Sequence, residues 1–208
     1  KKHAGDAIFE DVNNDGQLDS KDMKFMGYIR PDKVGGIVNS FKYKGLTVRV
    51  VMDWAMGHVI DNGFKGQIMG SSRNNNNAIK DAMTNSWQSA NDGTKYPKYT
   101  VQSDYDYQYR NHMRWDNQIG SSESGSTNNS LYFSKGDYLA FREVSLSYML
   151  PSTWVRKIRL SGVEVFAGAY NIGYIKKYDG MFPEIYTGVD YGVYPRPRQY
   201  NMGVKINF

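Results

Sequence analysis

The sequence predicts an all-β chain whose strands carry one apolar and one polar face, and three stretches carry that prediction. Residues 200–208 alternate without a break. Tyr200, Met202, Val204, Ile206 and Phe208 fall on one face, and Asn201, Gly203, Lys205 and Asn207 on the other. Residues 46–56 do the same, with Leu46, Val48, Val50, Met52, Trp54 and Met56 set against Thr47, Arg49, Val51, Asp53 and Ala55. In 138–150, Val144, Leu146, Tyr148 and Leu150 oppose Glu143, Ser145 and Ser147. A period of two is the period of a strand. Arg49 and Asp53 facing away from an unbroken apolar row suit a wall with hydrocarbon on one side and water on the other. They also suit a one-sided antiparallel sheet in a soluble protein.

The remaining elements follow in chain order. Residues 1–33 read as a loop-rich segment. A first strand is expected over 36–43, ending in Phe41 and Tyr43, and Lys44-Gly45 reads as a tight turn into 46–56. Residues 57–136 form a polar insertion rich in Asn, Ser, Gly, Asp and Tyr, with low-complexity runs at 71–77 and 121–130. A short helix is expected over 78–87, with Ile79, Met83 and Trp87 on one side. Pro151 ends the strand at 138–150, and 151–157 is a short turn. A fourth strand is expected over 158–170, where Val163, Val165, Ala167 and Ala169 alternate with Glu164, Phe166 and Gly168. The loop 171–195 precedes the final strand. Short connections on one side and long ones on the other match bacterial outer-membrane barrels, whose short turns are periplasmic.

Composition narrows the classes. The chain has 208 residues, enough for one domain, with 21 Gly and 17 Tyr. No apolar run approaches the roughly 20 residues of a membrane helix. There is no cysteine, which excludes disulfide scaffolds and thiolate metal sites. The net charge is +5, and the basic residues read as scattered, solvated surface rather than a nucleic-acid patch. The first residues, Lys1-Lys2-His3-Ala4-Gly5, carry no export signal. A membrane protein would then require the chain to be the C-terminal piece of something longer.

Two constellations could carry chemistry. Asp11, Asn13, Asp15, Asp19 and Asp22 have the spacing of a calcium loop, with Gly16 at the sharp turn and Gln17 offering its carbonyl. Such a loop supplies a hard cation with many oxygens from one short segment. Asp22 stands where a longer Glu would give fuller bidentate reach, and the competing reading is an Asx-rich turn bonded to its own backbone. Tyr96, Tyr99, Tyr105, Tyr107, Tyr109 and Trp115 crowd the insertion, interleaved with Asp104, Asp106, Arg110 and Arg114. Aromatic faces beside polar groups suit sugar stacking, a protein contact, or packing of the loop on itself. His3, His58 and His112 are isolated, and neither a zinc-protease nor a serine-hydrolase motif is present, so no enzyme is expected.

The chain resembles the C-terminal part of SusC-like (SusC/RagA) TonB-dependent transporters of the Bacteroidetes outer membrane. The strings that carry the resemblance run in order over nearly the whole chain. They are residues 5–16 (GDAIFEDVNNDG), 138–148 (YLAFREVSLSY) with Leu150-Pro151, 163–166 (VEVF) with Asn171, and 177–180 (KYDG) with Pro183-Glu184. Tyr194-Pro195, Tyr200, Gly203 and Phe208 complete the pattern. The family has an acidic residue before the Pro-Glu pair, where this chain has Phe182. The resemblance implies about five strands of a 22-stranded transmembrane β-barrel with long extracellular loops, one of them at about 57–136, and a plug outside this chain. It implies import powered through TonB, a SusD-like lipoprotein over the mouth, and oligosaccharide as the default substrate, with peptide as the alternative. It further implies that Tyr200 and Phe208 belong to the strand read by the insertion machinery. A calcium-stabilised extracellular all-β binding or adhesin module is the competing reading of the same residues.

Overall fold

The computed structural model describes residues 4–17, 20–65, 80–90, 92–94, 96–99 and 130–208. Asp19, Ile79, Tyr105, Tyr107, Tyr109, Arg110 and Trp115 lie outside the described residues. Seven strands follow in chain order: β1 Lys33–Tyr43, β2 Leu46–Met56, β3 Val59–Asp61, β4 Phe133–Lys135, β5 Tyr138–Met149, β6 Gly162–Lys176 and β7 Gln199–Asn207. Among the described residues, short helices accompany them at α1 Lys80–Thr84 and α2 Ser152–Val155. The chain divides into two compact units. One holds Arg30–His58, Lys135–Glu184 and Tyr194–Phe208; the other holds Lys1–Ile29, Val59–Ser134 and Ile185–Val193.

The first of these units is one antiparallel sheet in the order β1-β2-β5-β6-β7. Lys44 and Gly45 join β1 to β2 with φ of 44° and 86°. Two positive φ values give a hairpin turn whose twist matches the strands. Gly45 has a second reason to be glycine: a Cβ there would lie 2.7 Å from the Met149 carbonyl oxygen, which is next to the bond from Met149 N–H to Gly45.

Register sets the two faces, because residues directly opposite each other share one. Phe41, Val48, Leu146 and Ala167 stand in one cross-strand row, and Met202 pairs with Ala167. The next rows hold Tyr43, Leu46, Tyr148, Val165 and Val204, and Asn39, Val50, Val144, Ala169 and Tyr200. Apart from Asn39 and Lys33 on β1 this face is apolar, and much of it stays open: Val144, Leu146, Val165, Tyr200, Met202 and Val204 are all exposed. The opposite face carries Arg49, Asp53, Ser145, Ser147, Glu164, Asn201 and Lys205.

A bulge interrupts the pairing of β2 with β5. Val51 pairs with Glu143 and Met52 with Phe141, so Arg142 is an extra residue on β5. This bulge keeps Phe141 and Val144 on the apolar face although they are three residues apart. It turns both Arg142 and Glu143 toward the polar face.

The second unit is built from connections. β3 pairs with β4, and Asp61 bridges to Val189 in parallel. Val59 N–H donates to the Tyr28 carbonyl at 2.8 Å, and Asn62 N–H to Tyr132 at 2.9 Å. Tyr96 and Tyr132 are buried together, with Tyr99 and Leu131 against them.

The strands expected at 46–56 and 138–150 are found within one residue of their expected bounds. Three elements differ. β1 begins at Lys33 rather than at 36, because its pairing with β2 runs to Lys33↔Met56. β6 begins at Gly162 rather than 158, since Arg156–Ile158 is a 3-10 turn closed by Arg159 in the left-handed region, and it runs on to Lys176 against the start of β5. The expected helix 78–87 is described only over Lys80–Thr84. Beyond it Ser86 bridges to Tyr96, and Trp87 N–H donates to the Tyr96 carbonyl instead of to a helical one.

The facing of β2 can be tested in the full-length protein. With hydrocarbon against the Val50 row, Val50→Arg costs about 2–4 kcal/mol or stops assembly. Thr47→Arg, on the polar face, leaves the heat-modifiable gel shift of a folded barrel intact. Equal behaviour of the two variants would show that the faces are assigned wrongly.

Candidate functional site

The most developed polar constellation lies on the polar face, where the bulge places Arg142. The Arg142 guanidinium grips Asp53 of β2 with two nitrogens: Nη2 donates to Asp53 Oδ2 at 2.7 Å, and Nε bonds Oδ1. Arg142 Nη1 lies 2.6 Å from Glu184 Oε1. The other oxygen of Glu184 lies 3.2 Å from Arg196 Nη2, and Tyr174 Oη donates to Glu184 Oε1 at 2.6 Å. The order is Asp53, Arg142, Glu184, Arg196, an alternation of charge with a phenol closing one side.

Burial decides which member matters. The Glu184 side chain is 1 % exposed, while Arg196 is 52 % exposed. A carboxylate so desolvated is held only because two guanidinium groups and a hydroxyl surround it. Apolar packing completes the seat. Tyr138 and Tyr174 meet edge to face at 5.8 Å, and Tyr174 and Phe182 do so at 5.8 Å. Phe182 is buried at this contact, so the position where the family pattern has an acid here closes an aromatic seam. Lys176 Nζ reaches back to the carbonyls of Tyr178 and Gly180. The connection 177–198 is thereby tied to the polar face of the sheet near its start and near its end.

A second cluster flanks the same end of the sheet. Asp137 accepts Gly57 N–H at 2.8 Å and Lys177 Nζ at 2.9 Å. The Gly57 backbone bond foremost, then Lys177, lowers the Asp137 pKa. His58 is buried, and its Nδ1 has no partner among the described residues. Burial lowers the His58 pKa and outweighs the opposing pull of Asp137, so the ring is held neutral. The imidazole packs against Gly136, where a Cβ would come within 2.3 Å of Nε2.

The calcium-like loop is ordered by its own side chains. Asp11 accepts from Asp15 N–H at 3.2 Å and from Gly16 N–H at 2.8 Å. Asn13 Oδ1 accepts Asp15 N–H, Asp15 Oδ1 accepts Gln17 N–H, and Asp22 Oδ1 accepts Val12 N–H. Asp22 is thus drawn back to the start of the loop. No three His, Cys, Asp or Glu side chains converge as a metal cluster among the described residues. The oxygens of Asp11, Asn13 and Asp15 gather in one turn, where they accept its backbone N–H groups, and Lys21 Nζ lies 3.8 Å from Asp15 Oδ2. Tyr200 lies in β7 on the apolar row, and Phe208 follows β7, 92 % exposed. None of the residues in the Arg142 constellation is singled out as a site by the sequence. The available signals are the charges of Asp53 and Arg142 within strand patterns and the Pro183-Glu184 pair.

The constellation predicts a rank order. Glu184→Ala strands two arginines and costs about 3–5 kcal/mol. Arg196→Ala leaves Glu184 with Arg142 and Tyr174 but takes one cation from a buried carboxylate, and costs about 1–3 kcal/mol. Thermal unfolding of the detergent-solubilised full-length protein should show the difference, with new protease cuts in 177–198 for Glu184→Ala alone. Equal losses would mean that Glu184 does not tie the connection down.

No protein-family model matches the chain. It is 25 % identical over 216 residues to TonB-dependent receptor P3 of Formosa agariphila, spanning 98 % of this chain and 19 % of that protein. It is 26 % identical over 91 residues to TonB-dependent receptor SusC of Bacteroides thetaiotaomicron, spanning 43 % of this chain and 9 % of that one. The chain thus covers about a fifth of the length of receptor P3. Among solved structures, the RagAB peptide importer in its closed-closed state overlays with a TM-score of 0.65 at 21 % identity, over 89 % of this chain and 18 % of that one. These relatives carry receptor and importer names rather than enzyme names. An open, largely apolar sheet face, charges gathered mainly on the other face, and this likeness along the chain agree: the chain is similar to a SusC-like segment of TonB-dependent outer-membrane β-barrels.

Proposed function

We propose that the chain forms part of the wall of a TonB-dependent importer of oligosaccharides. In this reading a SusD-like lipoprotein covers the outer mouth, and TonB acts through parts of the protein beyond this segment. The observation that carries the reading is the two-faced sheet, with likeness to TonB-dependent receptors over 98 % of the chain. The polar face, with Arg49, Asp53, Arg142 and Glu143, lines the lumen. Tyr105, Tyr107, Tyr109, Arg110 and Trp115 are the proposed contacts for sugar or lipoprotein, on the chemistry of stacking aromatic faces beside hydrogen-bonding groups. Peptide is the second substrate reading, favoured by the overlay on a peptide importer.

Uptake by cells expressing the full-length protein separates these readings. Labelled oligosaccharides should enter only with the gene present, and a protonophore should abolish entry. Uptake of labelled peptides instead, with sugars excluded, would overturn the oligosaccharide reading and leave the importer standing. Passage unaffected by the protonophore would overturn the importer.

The loop of Asp11, Asn13, Asp15, Asp19 and Asp22, with the Gln17 carbonyl, is proposed to take one structural calcium ion. The gathering of the Asp11, Asn13, Asp15 and Asp22 oxygens in one short loop supports it. An extracellular site needs an affinity of only about 0.1–1 mM. Calcium titration of the full-length protein should therefore saturate in that range and protect residues 11–33 from protease, and Asp15→Ala should remove both effects. No calcium-dependent protection would sink the proposal.

A further inference from the structure

The turn between β5 and β6 brings apolar and cationic side chains together at the surface. Its apolar side chains point outward: Trp154 is 61 % and Ile158 65 % exposed, four residues apart across α2 and the 3-10 turn, while Val155 is buried and fastens the turn. Its cations are Arg156, Lys157 and Arg159. No Asp or Glu occurs between Glu143 and Glu164, and among the described residues none of the three cations has a carboxylate partner. The three cations fall within four consecutive residues, a local cluster in a chain whose other basic residues are dispersed.

The turn is also rigidly placed. Leu150 N–H donates to the Val163 carbonyl at 2.9 Å, and Ser161 N–H to Asn207 at 2.8 Å. Leu160 N–H closes back on Val155 at 3.3 Å. The turn thus hangs from β6 and the end of β7, at the edge where the apolar face ends in Tyr43, Leu46, Tyr148 and Val165.

We propose that this turn is a lipid-surface anchor. Trp154 and Ile158 seat in the interfacial layer of the periplasmic leaflet, and Arg156, Lys157 and Arg159 take the phosphates of anionic phospholipid. Continuity with the hydrocarbon-facing sheet places the bilayer surface at this level. An exposed indole beside aliphatic and cationic groups is the composition that such surfaces select. A cation near an anionic leaflet is worth about fivefold in binding. The inference rests on the proposed reading of the chain as barrel wall.

The test uses the full-length protein in nanodiscs of equal phosphatidylglycerol and phosphatidylcholine, with bound lipid measured by native mass spectrometry. Wild type should retain phosphatidylglycerol over phosphatidylcholine. The combined variant Arg156→Gln, Lys157→Gln, Arg159→Gln should lose at least about tenfold of that preference. Lys205→Gln, a cation near the same edge but on the polar face, should not change it. No preference in wild type, no loss in the combined variant, or an equal loss in Lys205→Gln overturns the proposal. Should the combined variant fail to assemble, brominated phosphatidylglycerol decides on folded protein. It should quench wild-type tryptophan fluorescence more than that of Trp154→Phe, and equal quenching would place the turn away from lipid. Failure of the barrel reading is distinguishable, because then wild type itself would not enter nanodiscs as a heat-modifiable protein.

Discussion

A strand in hydrocarbon has no water to bond, so every backbone N–H and C=O must find a neighbouring strand. The rest of this chain follows from that constraint. β2, β5 and β6 are paired along both sides, and β1 and β7 each present a further edge. Pairing alone would leave the faces free. The apolar rows fix them, since a slip of one residue would carry Val48, Leu146 and their neighbours to the wet side. Short turns hold the register at one edge. The Lys44-Gly45 turn leaves β1 and β2 no room to slide.

The bulge in β5 reconciles this constraint with charge. Strict alternation back from Val144 would put Arg142 on the apolar row, where an unpaired guanidinium is costly in hydrocarbon. One extra residue turns it inward, within reach of Asp53 on the neighbouring strand. Asp53 alone would make an ordinary, partly exposed pair. Glu184 arrives from the connection after β6 and changes the energetics, because it is buried and depends on Arg142 and Arg196 together. The same guanidinium thus bonds the wall to itself and the connection to the wall. Its desolvation is tolerable only because several of its N–H groups have acceptors.

Most of the sheet is legible in the sequence, and the limits have physical causes. β2 is legible to its end residues because its alternation is unbroken and its turn chemistry explicit. β6 is not: its start is masked by a 3-10 turn of residues with apolar spacing, and its interior parity is broken near Asn171, which sits at φ 50°. The helix expected near 80 is too long because Met83 and Trp87 are spaced as helix neighbours, while the Tyr96 backbone claims Trp87. The charged constellation is out of reach for a different reason. Periodicity assigns a residue to a face but not to a partner, and the bulge that brings Arg142 to the polar face has no local mark in the sequence. Phe182 shows the complementary case. In the sequence it is only a departure from a family string, and the structure gives it a packing role against Tyr174.

The two edges of the sheet treat similar charges differently, and connection length is the cause. The connection after β6 is long enough to bring Phe182, Glu184 and Arg196 to the polar face and bury Glu184, so an ion network forms there in a low-dielectric setting where geometry is demanding. Residues 150–161 can do no more than turn round. Arg156, Lys157 and Arg159 therefore stay at the surface, where charges interact through a screened medium and reward a partner that supplies many opposite charges at once. A wall of paired strands can in this way carry fixed, desolvated electrostatics at one rim and open electrostatics at the other. The difference is set by the number of residues between strands rather than by the strands themselves.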